Sequence, residues 1–134
     1  DVVLQRADRG AGRGALIFLI ADFNRDLSAL EQRLGQLAQQ HSIVLIPIDD
    51  LAERELPELG RVSFRDPAGA LLEVDTSDPA GRAAYRAAWE ERRALLTRLA
   101  NRLRVAMMPV RTDEDVHRAL ITGLRQRAQR RTRG

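Results

Sequence analysis

The sequence predicts an α/β fold, a partial doubly wound, three-layer arrangement with three parallel core strands and an inserted β-hairpin. Three observations carry this. Ala15-Leu16-Ile17-Phe18-Leu19-Ile20-Ala21 is an unbroken apolar run that ends on Asp22, the pattern of a strand buried on both faces of a parallel sheet. A helical repeat and a second apolar run, Ile43-Val44-Leu45-Ile46-Pro47-Ile48, follow, which makes a βαβ unit with a right-handed crossover. A third run, Arg104-Val105-Ala106-Met107-Met108-Pro109-Val110, comes after a long helical segment.

Each element has its own local reason. Residues 1–14 contain Gly10, Gly12 and Gly14 and read as a flexible lead-in. Over 26–40, Leu27, Leu30, Leu34, Leu37 and Ala38 fall on one helical face, with Asn24 or Asp26 as the cap. Pro47 removes one ladder donor from the second strand, so it favours a strand end or a locally irregular partner. Residues 49–60 are acidic and irregular. Arg61-Val62-Ser63-Phe64-Arg65, the turn Asp66-Pro67-Ala68-Gly69 and Ala70-Leu71-Leu72-Glu73-Val74 then form an antiparallel hairpin over about 61–74. Ser77-Asp78-Pro79 starts a helix that runs to about Arg102, since proline suits the first turn, where its missing N–H has no partner to lose. Tyr85, Ala88, Trp89, Leu96, Leu99 and Leu103 trace its expected buried face. Thr112 with Asp115 resembles a capping box that opens the last helix, whose apolar face is Val116, Ala119, Leu120 and Leu124.

The first strand is apolar on both faces and should not lie at an open edge. Its neighbour is expected to be either a preceding segment of a longer protein or a second copy of the chain. The start, Asp1-Val2-Val3, lacks a methionine, and the chain is expected to be a piece of a longer protein. The 134 residues suit one domain, here 15–124, followed by an Arg-rich tail at 125–134.

Composition narrows the function classes. With 44% hydrophobic residues the chain builds a core. No apolar run approaches the roughly 20 residues of a membrane helix, and no signal peptide is visible. Cysteine is absent, which removes disulfides and thiol chemistry. The pI of about 10.7 suggests nucleic acid. Yet all 22 basic residues are arginine, so almost nothing loses a proton between neutral and strongly basic pH. The excess is also local: Arg125, Arg127, Arg130, Arg131 and Arg133 stand in the tail. Without those five, 17 arginines face 19 acids and the body is net −2. The tail reads first as a solvated helix end. Phosphate or an acidic membrane surface is the alternative.

Asp22, Asp49 and Asp50 fall at the C-terminal ends of parallel strands, as does Arg111. Open α/β sheets place ligands there, and carboxylates suit Mg²⁺ or another hard cation. The competing roles are helix caps and turns. Nothing supports a nucleophile: there is no cysteine and no G-x-S-x-G elbow, so no catalytic residue is assigned. His41, at the end of the first helix, and His117 read as surface residues. Gly10-Ala11-Gly12-Arg13-Gly14 precedes a strand, whereas a dinucleotide fingerprint follows one. Tyr85 and Trp89 read as core packing rather than base-stacking residues.

The residues also carry a resemblance. Leu16-Ile17-Phe18-Leu19-Ile20-Ala21-Asp22-Phe23 is similar to the hydrophobic strand and S-D-F segment of the bacterial family called domain of unknown function 58. Asp49-Asp50-Leu51-Ala52-Glu53-Arg54-Glu55-Leu56-Pro57 resembles its D-x-x-E-x-E/R-L-P stretch. Val62-Ser63-Phe64-Arg65-Asp66 with Leu72-Glu73-Val74-Asp75-Thr76, and the Arg82 to Tyr85 helix start, fit as well. The likeness runs from Gly14 to about Leu124. It implies a von Willebrand factor A-like domain with a metal-ion-dependent adhesion site, acting with MoxR-type AAA+ ATPases in assembly or chaperone-like work. It also implies a cytoplasmic domain, with a parent protein anchored in the inner membrane through segments outside this chain. Of the adhesion-site pattern, the resemblance puts only the last aspartate here, at Asp22; there is no D-x-S-x-S, Ala21 replaces serine and Phe23 replaces glycine. The expectation is therefore no cofactor in this chain alone and Mg²⁺ in the full-length protein.

The leading expectation, with the resemblance, is a non-enzymatic protein-interaction module, the C-terminal half of a von Willebrand A-like domain that docks a partner, with homo-oligomers formed through its first core strand. The alternatives are a metal-dependent phosphoryl-transfer or hydrolytic enzyme using Asp22, Asp49 and Asp50, and a nucleic-acid binder using the arginine tail.

Overall fold

The fold is known from a computed structural model, which describes residues 2–24, 27–65 and 68–132. Chain order is α1 (Val2–Gly10), β1 (Leu16–Ala21), α2 (Leu27–Gln40), β2 (Ser42–Asp49), α3 (Leu51–Arg54), β3 (Arg61–Arg65), β4 (Leu71–Asp75), α4 (Pro79–Arg102), β5 (Ala106–Met107), β6 (Val110–Arg111) and α5 (Val116–Thr132). The α/β class expected from the sequence is the class observed. The proposed caps and turns at Asp26 and Asp66-Pro67 lie outside the described residues, as does the tail residue Arg133.

β2 is the centre of the sheet. β1 pairs with it in parallel along one side, from Leu16 opposite Ser42 to Ala21 opposite Pro47. β5 and β6 pair with it in parallel along the other, with Val44 opposite Ala106 and Ile48 opposite Val110. Both short strands keep one register, which brings Pro109 opposite Pro47. Pro47 has no N–H to give this ladder, while the Met108 and Thr112 N–H groups donate to the Leu45 and Asp49 carbonyls, so the Pro109 nitrogen, one residue off that alternation, faces away from β2. The third core strand is split into two short pieces, the irregular partner that Pro47 implies.

Alternation sorts the sheet into two faces. Ile43 and Leu45 of β2, with Ile17 and Leu19 of β1, form one core with Leu34 and Leu37 of α2 and Leu96, Leu99 and Ala100 of α4. Val44 and Ile46 form the other with Met108, Val110, Ala119 and Leu120, the last two from α5. α5 covers β2 and the split strand but does not reach β1, where Leu16, Phe18 and Ile20 are 45%, 41% and 65% exposed. β1 is thus an edge strand with one face covered, contrary to the expectation of a strand buried on both faces.

Four other expectations change. Residues 2–10 form α1 rather than an unstructured lead-in, and Leu4 packs against the first core. α4 has 24 residues, about 36 Å at 1.5 Å per residue, whereas six-residue β1 spans about 20 Å. Its first half has no sheet to lie on, so Tyr85 and Ala88 are exposed while Leu96 and Leu99 are buried. His41 is buried, at 7% exposure, where the chain turns from α2 into β2. The last helix is opened by Asp115, whose Oδ1 accepts from the Arg118 N–H at 3.1 Å, not by Thr112.

The α4 cap follows the sequence: Asp78 accepts from the N–H groups of Ala80 and Gly81, both at 3.0 Å. The hairpin of β3 and β4 is antiparallel, from Arg61 opposite Asp75 to Arg65 opposite Leu71. Thr76 closes its base. Its Oγ1 donates to the Gly60 carbonyl at 2.8 Å and accepts from the Leu59 N–H at 2.9 Å. Gly60 sits at φ 74, a left-handed turn that glycine adopts at no steric cost.

Leu45 is fully buried between β1 and the split strand, so Leu45→Ala is expected to cost about 3 kcal/mol in urea denaturation. Gly123→Ala would bring a Cβ within 2.6 Å of Met108 Sδ and 3.0 Å of its Cγ. That overpacking outweighs the gain in helix propensity, and the variant is expected to lose about 1–2 kcal/mol.

Candidate functional site

Parallel pairing brings the C-terminal ends of β1, β2 and β6 to one end of the sheet. Asp22 follows β1, Asp49 ends β2 opposite Arg111 of β6, and Asp50 comes next. The structure gives these three carboxylates different roles.

Asp22 is exposed, and its Oδ1 accepts from the Asn24 N–H at 3.2 Å in a tight turn. Between them Phe23 has φ 56, a conformation that costs an aromatic residue free energy. Phe23 packs against the first core, which holds it there. The Asn24 amide in turn donates to Glu53 of α3 at 3.5 Å.

Asp49 is neutralised from within. Arg93 of α4 donates to its Oδ1, and the two side chains are 17% and 12% exposed. The Arg93 guanidinium also lies over the Trp89 ring, 5.4 Å from the centroid, a cation–π contact with the residue one turn earlier. Burial pushes the Asp49 carboxyl above its ordinary value, with Arg93 pulling the other way. Among the described residues the Arg93 Nε has no hydrogen-bond partner. These side chains fill the strand end: the recess lined by Asp22, Phe23, Asn24, Trp89, Arg92 and Arg93 holds about 10 Å³, barely the space of one water.

Asp50 is a cap. Its Oδ1 accepts from the Ala52 N–H at 2.9 Å, starting α3, and its Oδ2 accepts from Thr112 Oγ1 at 2.7 Å. The Thr112 hydrogen bond, then the backbone one, hold its pKa below the ordinary carboxylate range. Arg111 faces outward and binds Asp113, Nε to Oδ1 at 2.8 Å, which lowers the Asp113 pKa.

The structure thus gathers Asp22, Asp49 and Asp50 at one end without making them one ligand set. Among the described residues no group of three or more His, Cys, Asp or Glu is placed to hold a metal ion. Asp22 can supply one oxygen. Asp49 is engaged by a cation of the chain's own, and Asp50 by a helix start, so the residues present do not fit a closed hard-cation shell. His117 is exposed. Sequence reasoning missed Arg93, Thr112 and Glu53. The Trp89–Arg93 spacing of four was a legible sign of the cation–π pair; the other two contacts depend on the packing of α3 and β6.

The family model described as Protein of unknown function DUF58 matches residues 1–95. The chain belongs to this family. The matched span of this DUF58 chain holds β1, β2, the hairpin and the first part of α4, and with them Asp22, Asp49, Asp50, Trp89 and Arg93. No curated protein and no solved structure matches the chain. Among the described residues no helix is long and apolar enough to cross a membrane.

Removing the cation from the Asp49 pair leaves a mostly buried carboxylate alone. Arg93→Ala is expected to destabilise by about 3 kcal/mol, with a shift of Trp89 fluorescence, read by urea denaturation. Asp50 gives a pH signature of known sign. Its pKa is lower folded than unfolded, so its contribution is complete above the ordinary value of 3.8 and is lost as pH falls through the folded value. Asp50→Asn is therefore expected to lose stability at pH 7 and to lie closer to wild type at pH 3.

Proposed function

We propose that this chain is a non-enzymatic protein-interaction module, part of a von Willebrand A-like domain that works with a MoxR-type AAA+ ATPase in assembly or chaperone-like tasks. β1 is its docking element. The observation that carries this reading is the contrast between the two sides of the sheet. The β5 side is short, broken at Met108-Pro109 and packed on one face by α5, devices that blunt an edge. The β1 side has six residues, Leu16-Ile17-Phe18-Leu19-Ile20-Ala21, with no proline and no charge. The Ser42 N–H donates to the Ala15 carbonyl at 2.8 Å. By alternation, the N–H and C=O of Leu16, Phe18 and Ile20 point away from β2. The side chains of the same three residues are exposed. An added strand satisfies the backbone groups, and its own apolar residues cover the side chains.

The class of partner comes from the family resemblance. In solutions of this chain alone, the same edge favours a second copy, β1 against β1 about a two-fold axis. Asp22 is assigned as one oxygen ligand of an adhesion-type Mg²⁺ whose remaining ligands lie elsewhere in a longer protein.

Ile20→Lys puts a charge on the uncovered face without touching either core. Size-exclusion chromatography of the chain with a purified MoxR-type ATPase is expected to give a joint peak that this variant loses. No joint peak, or one indifferent to Ile20→Lys, overturns the partner reading. Mg²⁺ titration should show no tight binding by the isolated chain. Tight binding that survives Asp22→Ala would overturn the assignment of Asp22.

A further inference from the structure

A crevice of about 1310 Å³ runs along the β5 side of the sheet, from the start of β2 to the first turns of α5. Arg104, Arg118 and Arg127 line it. Among the described residues no carboxylate pairs with any of these three side chains. Arg127 Nη2 donates to Ser42 Oγ at 2.5 Å, a neutral acceptor that leaves the positive charge uncompensated. Two acids, Glu114 and Asp115, also line the crevice. Each accepts from a backbone amide, Glu114 from the Arg111 N–H at 2.7 Å and Asp115 from the Arg118 N–H at 3.1 Å, which fixes its direction without cancelling its charge, so three arginines face two carboxylates and the lining keeps a net positive charge.

Two helices, α2 and α4, end at this crevice, and helix C-termini repel anions. Here five of their last carbonyls already accept a backbone N–H. The His41 N–H binds the Leu37 carbonyl and the Gly14 N–H that of Gln40; the N–H groups of Leu103, Arg104 and Val105 bind those of Leu99, Asn101 and Ala100. Arg104 stands where the chain turns out of α4 with φ 54, a position that most sequences give to glycine. The backbone is strained there, and the arginine side chain stands on the crevice wall. Among the described residues no phenylalanine, tyrosine or tryptophan lines the space, so the lining offers charge and amide donors rather than a platform for a base.

We propose that this crevice binds a small oligophosphate, held by Arg104, Arg118 and Arg127 through charge-assisted hydrogen bonds. The proposal does not depend on the docking role of β1. Isothermal titration of the chain with inorganic tripolyphosphate is expected to give saturable one-to-one binding that weakens with salt. The double variant Arg118→Gln/Arg127→Gln should bind at least about tenfold more weakly. Arg104→Gly relieves the backbone and removes one guanidinium, so it should raise the melting temperature while lowering affinity, a pair of effects that a purely structural arginine would not give. Arg125→Gln, on α5 but outside the crevice, should leave binding unchanged. No saturable binding overturns the proposal. So does affinity unaffected by the double variant, equal loss in Arg125→Gln, or tighter binding of a single-stranded oligonucleotide than of tripolyphosphate.

Discussion

The whole structure depends on one strand that is dry on both sides. Val44 and Leu45 are fully buried and Ile43 and Ile46 nearly so. Each successive residue belongs to a different core. Ile43 and Leu45 hold α2 and α4, and Val44 and Ile46 hold α5. β2 also gives hydrogen bonds to every other strand of its sheet. A strand in that position has no polar face to spare, which is why its sequence reads as a continuous apolar run rather than an alternating one. Its one irregularity, Pro47, withholds one donor on the side of β5 and β6, and the third strand is interrupted there, between Met107 and Val110.

The sheet is asymmetric as a consequence. On one face two long helices cover β2 and reach β1; on the other a single helix covers β2 and the split strand. β1 pairs along its whole length and still leaves three large apolar side chains in water. An apolar side chain gains roughly 1.5–3 kcal/mol on full burial, so three half-exposed ones represent a few kcal/mol held back from folding. Stability held back at a regular, uncharged edge is a feature of surfaces that are completed by another chain. The hairpin is a second example on a smaller scale. It forms its own two-stranded sheet, separate from the main one, and is tied at its base by Thr76 while Phe64, Leu71 and Leu72 stay exposed.

What was legible in the sequence is what local chemistry decides. The apolar runs marked the strands, Asp78-Pro79 marked the start of α4, and the alternation after Gly60 marked the hairpin. These signals need no knowledge of neighbours. The misread positions all depend on neighbours. Tyr85 and Ala88 continue the apolar stripe of α4, but the sheet ends before the helix does. His41 looks like a polar residue at a helix end, but it is buried where α2 turns into β2. Thr112 has the spacing of a cap, but Asp50 is within reach and takes its hydroxyl, leaving Asp115 to start α5. Position in the chain placed Asp22, Asp49 and Asp50 at the same end of the sheet correctly. It gave no information on which was already neutralised, because Arg93 approaches from 44 residues away in sequence.

That difference among the three carboxylates bears directly on chemistry at the strand ends. A general acid, a general base or a metal ligand must be free to exchange its proton or its cation. Asp49 is held against Arg93, which is itself stacked on Trp89, so any cation that enters must first displace one that the fold supplies. Asp50 cannot leave Ala52 and Thr112 without unwinding α3. Asp22 alone combines exposure with a fixed geometry: the strained Phe23 and the turn to Asn24 set its direction, and nothing in the described structure competes for its outer oxygen. One carboxylate in a defined direction is enough to join a site that another surface completes and is too little to make a hard-cation site by itself. The strand-end carboxylate and the bare edge of β1 belong to the same element. A single incoming surface that added a strand to β1 would also bring its own polar groups close to Asp22.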